Sequence, residues 1–228
     1  MIPYKTTALR GACLSLVLLL SACITTTPPI PAAQLEELKA KAENGDARAQ
    51  FNLAMLYDSG RGGVSRSGAE AEKWYRRAAE SGLAEAQNSL GSGAQAARRY
   101  EEARGWYEKA AAQNHDLALN SLGYLYDMGL GVPQDRRKAF EYYTRAANVG
   151  EPEAMWNIAN MYGAGQVGDK DMHMACVWVF RANRFSSPGS RVEKPAQQGV
   201  VYLRRTLSAD DLRRCITESG DWSPSAAG

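Results

Sequence analysis

A chain of 228 residues, 45% apolar and 23% charged, has the composition of a globular protein with one or two domains built on an apolar core. That excludes collagen, an extended disordered tail and a disulfide-dense mini-protein, since four cysteines are too few to staple a scaffold. The formal charge of +2 includes Lys5 and Arg10 of an N-terminal stretch expected to be removed; without them 25 basic residues face 25 acidic ones, and the basic surplus of a nucleic-acid binder is missing.

Residues 1–10 carry two cations and no acid, and they lead into the apolar run Gly11–Leu20. That run is about half of the ~20 residues needed to span a bilayer and has the form of a signal-peptide core. Leu20-Ser21-Ala22-Cys23 follows and resembles the bacterial lipoprotein box at all four positions. The resemblance implies cleavage before Cys23, loss of Cys13 with the signal peptide, and three acyl chains on Cys23. Two or more chains hold firmly where one is marginal. Ile24 stands where an Asp resembles an inner-membrane retention signal, so the expected location is the periplasmic face of the outer membrane. Residues 1–22 thus read as a signal peptide and 23–33, with three prolines and no charge, as the lipidated cysteine and an extended tether of about 30 Å.

Beyond the tether the chain repeats itself. Trp74-Tyr75, Trp106-Tyr107, Tyr142-Tyr143 and Trp178-Val179 recur at spacings of 32, 36 and 36, with Ala78, Ala110, Ala146 and Ala182 four residues after the first member. Upstream stand Ala49-Gln50 with Leu53, Ala86-Gln87 with Leu90, Ala118-Leu119 with Leu122, and Ala154-Met155 with Ile158. A period of this length marks a solenoid. Each unit reads as two helices: in the third, Asp116 to Asp127 and Lys138 to Asn148 flank the breaker Met128-Gly129-Leu130-Gly131-Val132-Pro133. The second unit lacks about five turn residues between Leu90 and Trp106, which predicts a tight turn around Gly91 to Ala97. The aromatics of the recurring pairs read as packing between units, and Trp106 as structural.

Terminal units need covers for their open faces. Gln34 to Glu43 is expected to form the N-terminal cap helix. Val192 to Thr206 and Ala209 to Glu218 are expected to form the C-terminal cap, the latter opened by Ser208 with Asp211 three residues on. The loop Ser186 to Ser190 leads there, and the tail from Ser223 is expected to fray.

With these residues in view, the chain resembles the Sel-one-like repeat (SLR) family, relatives of the tetratricopeptide solenoids. The motif Ala-x-x-x-Leu-Gly-x-x-Tyr-x-x-Gly-x-Gly-Val-x-x-Asp-x-x-Lys-Ala is nearly complete from Ala118 to Ala139. The resemblance implies an all-α fold, a right-handed α-solenoid of about four helix-turn-helix units over residues 34–184, closed by a helical cap and tail over 185–228.

Chemistry has little to stand on. The histidines are His115, at an inter-unit position expected on the surface, and His173; no nucleophile elbow, phosphate loop or zinc-protease helix occurs. Met172-His173-Met174-Ala175-Cys176 offers soft donors suited to copper(I), but the segment aligns with the ordinary start of a second helix. No catalytic residue, cofactor or metal is therefore expected. With Cys13 lost and Cys23 acylated, Cys176 and Cys215 are the only pair left in an oxidising compartment, one on the last unit and one on its cap, and are expected to bond.

What remains is a binding surface. In solenoids of this kind the first helices line the concave face, and positions between the packing residues point into it. These are Arg48, Phe51, Asn52 and Met55; Glu85, Asn88, Ser89 and Ser92; Leu117, Asn120, Ser121 and Tyr124; and Glu153, Trp156, Asn157 and Asn160. Amides that donate and accept, set beside aromatic anchors, suit a protein partner. Trp156 is expected to be such an anchor, with packing beneath the C-terminal cap as its alternative role. Among lipoproteins of this family the expectation is a tethered protein-binding module, monomeric when unbound. Its partner is either an envelope component, with the chain as adaptor, or a secreted toxic effector such as a lipase, with the chain as immunity protein.

Overall fold

The computed structural model describes residues 30–224, and the signal peptide 1–22, Cys23 and most of the tether lie outside them. Among the described residues there are eleven helices and no other regular element. They are α1 (Ala32–Glu43), α2 (Ala47–Ser59), α3 (Gly68–Glu80), α4 (Ala84–Ala96), α5 (Tyr100–Ala111), α6 (Asp116–Met128), α7 (Arg136–Asn148), α8 (Pro152–Ala164), α9 (Met172–Phe185), α10 (Glu193–Thr206) and α11 (Ala209–Gly220). From α1 to α10 each helix packs on its sequence neighbours, α10 and α11 both close over α9, and the first helices α4 and α6 also touch. The result is a solenoid of four helix pairs with helical caps. No described helix is long and apolar enough to cross a membrane.

Local chemistry explains where the helices begin and end. The side chains of Asp46, Ser67, Asp135, Asp171 and Ser208 accept hydrogen bonds from the backbone N–H three residues on, satisfying a donor that the first turn leaves open. Three first helices stop at glycines in the left-handed region, Gly60, Gly129 and Gly165, with φ of 66°, 67° and 66°. The helix α1 begins at Ala32 rather than Gln34, so the tether ends earlier than expected. Ile30 already lies against the first turn, where a Cβ on Gly62 would come within 2.7 Å of its Cδ1.

The short connection of the second unit lies elsewhere than expected. The helix α4 continues through Gly91 to Ala96, and the turn is only Ala97–Arg99, with Arg98 at φ 58°. Gly91 has a different task. A Cβ there would meet the Tyr107 ring at 2.6 Å, and one on Gly123 would meet the Tyr143 ring at the same distance. In these two units glycine lets a tyrosine lie flat on the partner helix, which brings the pair closer than an alanine would allow.

The core is not uniform. One continuous cluster runs from Ala94 through Tyr107, Leu122, Tyr143, Met155 and Trp178 to Leu203 and Cys215. The N-terminal units hold two smaller clusters, one around Leu53 and Trp74, the other around Leu90 and Trp106. Trp106 is buried there among Ala78, Ala79 and Ala86, a position between units as its sequence register predicts. The recurring Ala-Gln pair also has a structural role: Gln50 Nε2 donates to the Ala42 carbonyl and Gln87 Nε2 to that of Ala79, each at 3.0 Å, tying each first helix to the helix before it.

Candidate functional site

The four first helices stand side by side, and the sixteen positions named from the sequence form four columns across them. The outermost column is Met55, Ser92, Tyr124 and Asn160, all exposed, with Met55 at 49% and Tyr124 at 40%. A second outward column carries Arg48, Glu85, Leu117 and Glu153. Arg48 reaches across from α2 to α4 to pair with Glu85 at 2.7 Å, and Leu117 is 45% exposed. Asn52 is exposed beside them. These columns offer a partner apolar contact interleaved with charge and amide.

The column nearest the helix junctions behaves differently: Asn120 is a correction to the expected exposure, Trp156 takes its alternative role, and Phe51 is partly covered. Asn120 is buried: its Oδ1 accepts from Asn157 Nδ2 at 3.1 Å, and its own Nδ2 lies 3.5 Å from Glu153 Oε2. Its amide and that of Asn157 serve to join α6 to α8, because a polar group in that seam must find a partner inside the protein. Trp156 is half-buried rather than presented. Its indole lies against α10, where a Cβ on Gly199 would come within 3.2 Å of Cζ3, so Trp156 packs beneath the C-terminal cap. Phe51 is half-buried too, its ring 5.6 Å from that of Tyr75. The fourth member, Asn88, has a buried Oδ1 without a hydrogen-bond partner.

The position shared by Leu83, His115 and Glu151 is not a surface site either. It is the N-cap of each first helix. His115 Nδ1 faces the Ala118 N–H at 3.4 Å, and Glu151 accepts from the Glu153 N–H at 3.0 Å. Burial, with Asp116 and Glu153 nearby, pushes the Glu151 carboxyl up to about 6 although the Glu153 N–H works against it.

At the far end the sulfurs of Cys176 and Cys215 are bonded, with Cα atoms 6.0 Å apart. His173 Nε2 lies 2.9 Å from Glu218 Oε2. The sulfur- and histidine-rich segment 172–176 therefore joins α9 to α11. Arg181 is stacked between Trp178 and Trp222, its guanidinium carbon 4.6 and 5.0 Å from the two ring centroids. Trp222 meets Trp178 and Phe185 edge to face, so order extends to the threshold of the tail. The sequence held a signal for this, a tryptophan in an otherwise small and polar terminus, and the register of the repeats did not draw attention to it.

Four consecutive segments, 47–83, 84–115, 116–151 and 152–182, match the Sel1 repeat model, and each contains one helix pair. Among solved structures the chain is similar to c5321, a protective antigen of uropathogenic Escherichia coli displaying an SLR fold. The TM-score is 0.73 at 28% identity, over 81% of this chain and 39% of that one. A Sel1 repeat protein from Oxalobacter formigenes gives a TM-score of 0.64 at 28% identity, over 82% and 80% of the two chains. Chitin synthase regulatory factor 3 of Schizosaccharomyces pombe is 34% identical over 130 residues, which is 54% of this chain but only 14% of that relative's length. With four matched units, each folded as one helix pair of a continuous stack, this chain belongs to the Sel1 repeat family.

Proposed function

We propose that the chain is a non-enzymatic protein-binding module, anchored through a lipidated Cys23 to the periplasmic face of the bacterial outer membrane. It grips its partner with the face presented by the first helices, as an immunity or inhibitor protein against a secreted toxic effector such as a lipase. Sel1 repeats mediate protein–protein interactions. The observation that carries the reading to this face is the row of large apolar side chains left in water on α2 and α6, Met55, Leu117 and Tyr124. Such residues, rimmed by Arg48, Asn52 and Asn160, have the composition of a contact surface. Many carboxylates pair with cations along helix faces, as in Arg76–Glu72 and Arg104–Glu108, and the buried Glu151 caps α8 through the Glu153 N–H, which supports binding over acid–base chemistry. Anchoring is supported by Leu20-Ser21-Ala22-Cys23.

The test is capture from envelope and secreted fractions with the wild-type chain and with Met55→Ala/Tyr124→Ala. Capture of an enzyme whose activity falls at one equivalent of wild type, and persists with the double variant, supports the reading. Capture of an envelope component without inhibition of any activity replaces immunity with the adaptor role. In parallel, Cys23→Ser should release the protein from the membrane fraction, and a wild-type chain recovered there without acyl groups would overturn anchoring.

A further inference from the structure

The second unit departs from the others in three places that coincide in space. Its inter-helix connection is Ala97–Arg99, against 60–67, 129–135 and 165–171 elsewhere. At the register held by Leu56, Leu125 and Met161 it has Gly93, and at that of Tyr57, Tyr126 and Tyr162 it has Ala94. Where the other units are bulky, this one carries no side chain larger than a methyl.

The third unit shows what belongs there. Its turn folds back onto the start of the preceding second helix, so closely that a Cβ on Gly131 would meet Tyr100 Cβ at 2.7 Å and the Glu101 nitrogen at 3.0 Å. Leu130 and Val132 of that turn pack on the core, Leu125 is fully buried, and Tyr126 stacks on Tyr142 and accepts from Lys138 Nζ at 2.8 Å. In the first unit the residue equivalent to Tyr100 is Gly68, and a Cβ built on it, or on Gly93, would have nothing within 4 Å. Between them opens a cleft of about 440 Å³. Its walls include Ala71 and Tyr75 of α3 and Ser92 and Ala94 of α4, together with the charged Glu72, Arg99 and Glu102. Asn88 lines it as well, with its buried, unpartnered Oδ1, whereas the equivalent oxygen of Asn120 accepts from Asn157.

An open cleft of this size, at a junction whose counterpart the third unit closes with its own turn, is an exception to be explained. We propose that the cleft is a second binding site, taking a turn-forming loop of a partner polypeptide that supplies in trans what the unit lacks. The chemistry of the ligand follows from the missing parts. It brings a glycine where the backbone must approach the α3 N-terminus, an aliphatic pair in place of Leu130 and Val132, an aromatic above Ala94, and a backbone N–H for Asn88 Oδ1. The inference rests on the reading that the chain binds proteins, and it assigns a site beside the outer columns, independent of Tyr124.

The probe is a fluorescein-labelled peptide of residues 125–135 (LYDMGLGVPQD), carrying a photoreactive leucine at its Leu130 position. It is titrated by anisotropy into the whole chain in detergent micelles. Saturable binding with crosslinks to α3 and α4 residues of the cleft is expected. Gly93→Leu/Ala94→Tyr, and separately insertion of Gly-Leu-Gly-Val-Pro after Ala97, should weaken binding at least about tenfold while keeping the helical circular dichroism. Two variants guard against misfolding of either one. No saturable binding to wild type, crosslinks outside the cleft, or equal affinity in a folded filled variant overturns the inference. Tyr124→Ala separates the two sites. Loss of partner capture with the peptide still bound leaves the cleft standing, and capture without peptide binding leaves the inner face standing alone.

Discussion

The two ends of the solenoid join their units by different means. At the N-terminal junctions the residue after the conserved-register alanine is a glutamine, Gln50 or Gln87, donating to a carbonyl of the preceding helix. At the next two junctions it is Leu119 or Met155, each fully buried in the continuous core, and the carbonyl equivalent to that of Ala79, on Ala111, is served by Arg145 Nη2 at 3.0 Å. A single hydrogen bond contributes about 1 kcal/mol net, whereas a fully buried leucine or methionine contributes about 1.5–3 kcal/mol. The C-terminal half also carries a disulfide, while the N-terminal half is split into two small clusters with a cleft between its units. One repeat motif thus supports two grades of cohesion, and opening is expected to begin at α1–α4.

The most damaging substitution for this contrast is Trp106→Ala, which empties the small cluster at the second junction and should cost about 3–5 kcal/mol through lost burial and a residual cavity. Thermal unfolding should then split, with α1–α4 exchanging their amide hydrogens well before α6–α11. A single coincident transition would show that the two halves unfold together. Cys176→Ser/Cys215→Ser should lower stability by about 2–4 kcal/mol and act on the C-terminal half alone, narrowing the gap between the transitions.

Gly123→Ala sets a methyl 2.6 Å from the Tyr143 ring and should cost about 1–3 kcal/mol by overpacking, measured as a lower denaturation midpoint with an unchanged slope. Glu151→Gln has the opposite sign. A carboxyl raised from 4.5 to about 6 stabilises the fold fully only below its unfolded pKa, and that contribution is lost as pH rises through 6. The amide variant should therefore be more stable than wild type by about 1 kcal/mol at pH 8 and indistinguishable from it at pH 4. Smallest of all, Tyr124→Ala should change stability by less than about 0.5 kcal/mol, as an exposed side chain would, while weakening capture of the partner.

Periodicity made the helix pairs legible, because alanine and aromatic positions recur where close packing requires them. The cap helix at 209 could be read from Ser208 with Asp211, and the bonded pair Cys176 and Cys215 from counting the cysteines that the expected processing would leave free. Burial at the inner face could not be read in the same way. Asn120 and Asn52 are the same residue type one helical position apart, yet one faces a seam and the other water. For Trp156 the sequence leaves anchor and cap packing both open, and the helix that decides between them, α10, lies outside the repeats. The shortened second unit was visible as a deletion. Gly93 and Ala94 follow from the register as well, but the cleft they share with Gly68 of the neighbouring unit emerges only in space.

The glycine–tyrosine contacts carry an implication for how such arrays are inherited. Gly91 serves Tyr107 and Gly123 serves Tyr143, whereas Ala54 stands opposite Tyr75 and Ala159 opposite Val179. A crossover falling inside a unit could join the first helix of one repeat to the second helix of another, setting an alanine methyl against a tyrosine ring seated flat on the helix. A crossover between units carries both halves of the contact together. Exchange of whole helix pairs, with breakpoints in the links at Gly82, Asn114 and Gly150, where the backbone already adopts positive φ, keeps the two glycine–tyrosine contacts intact.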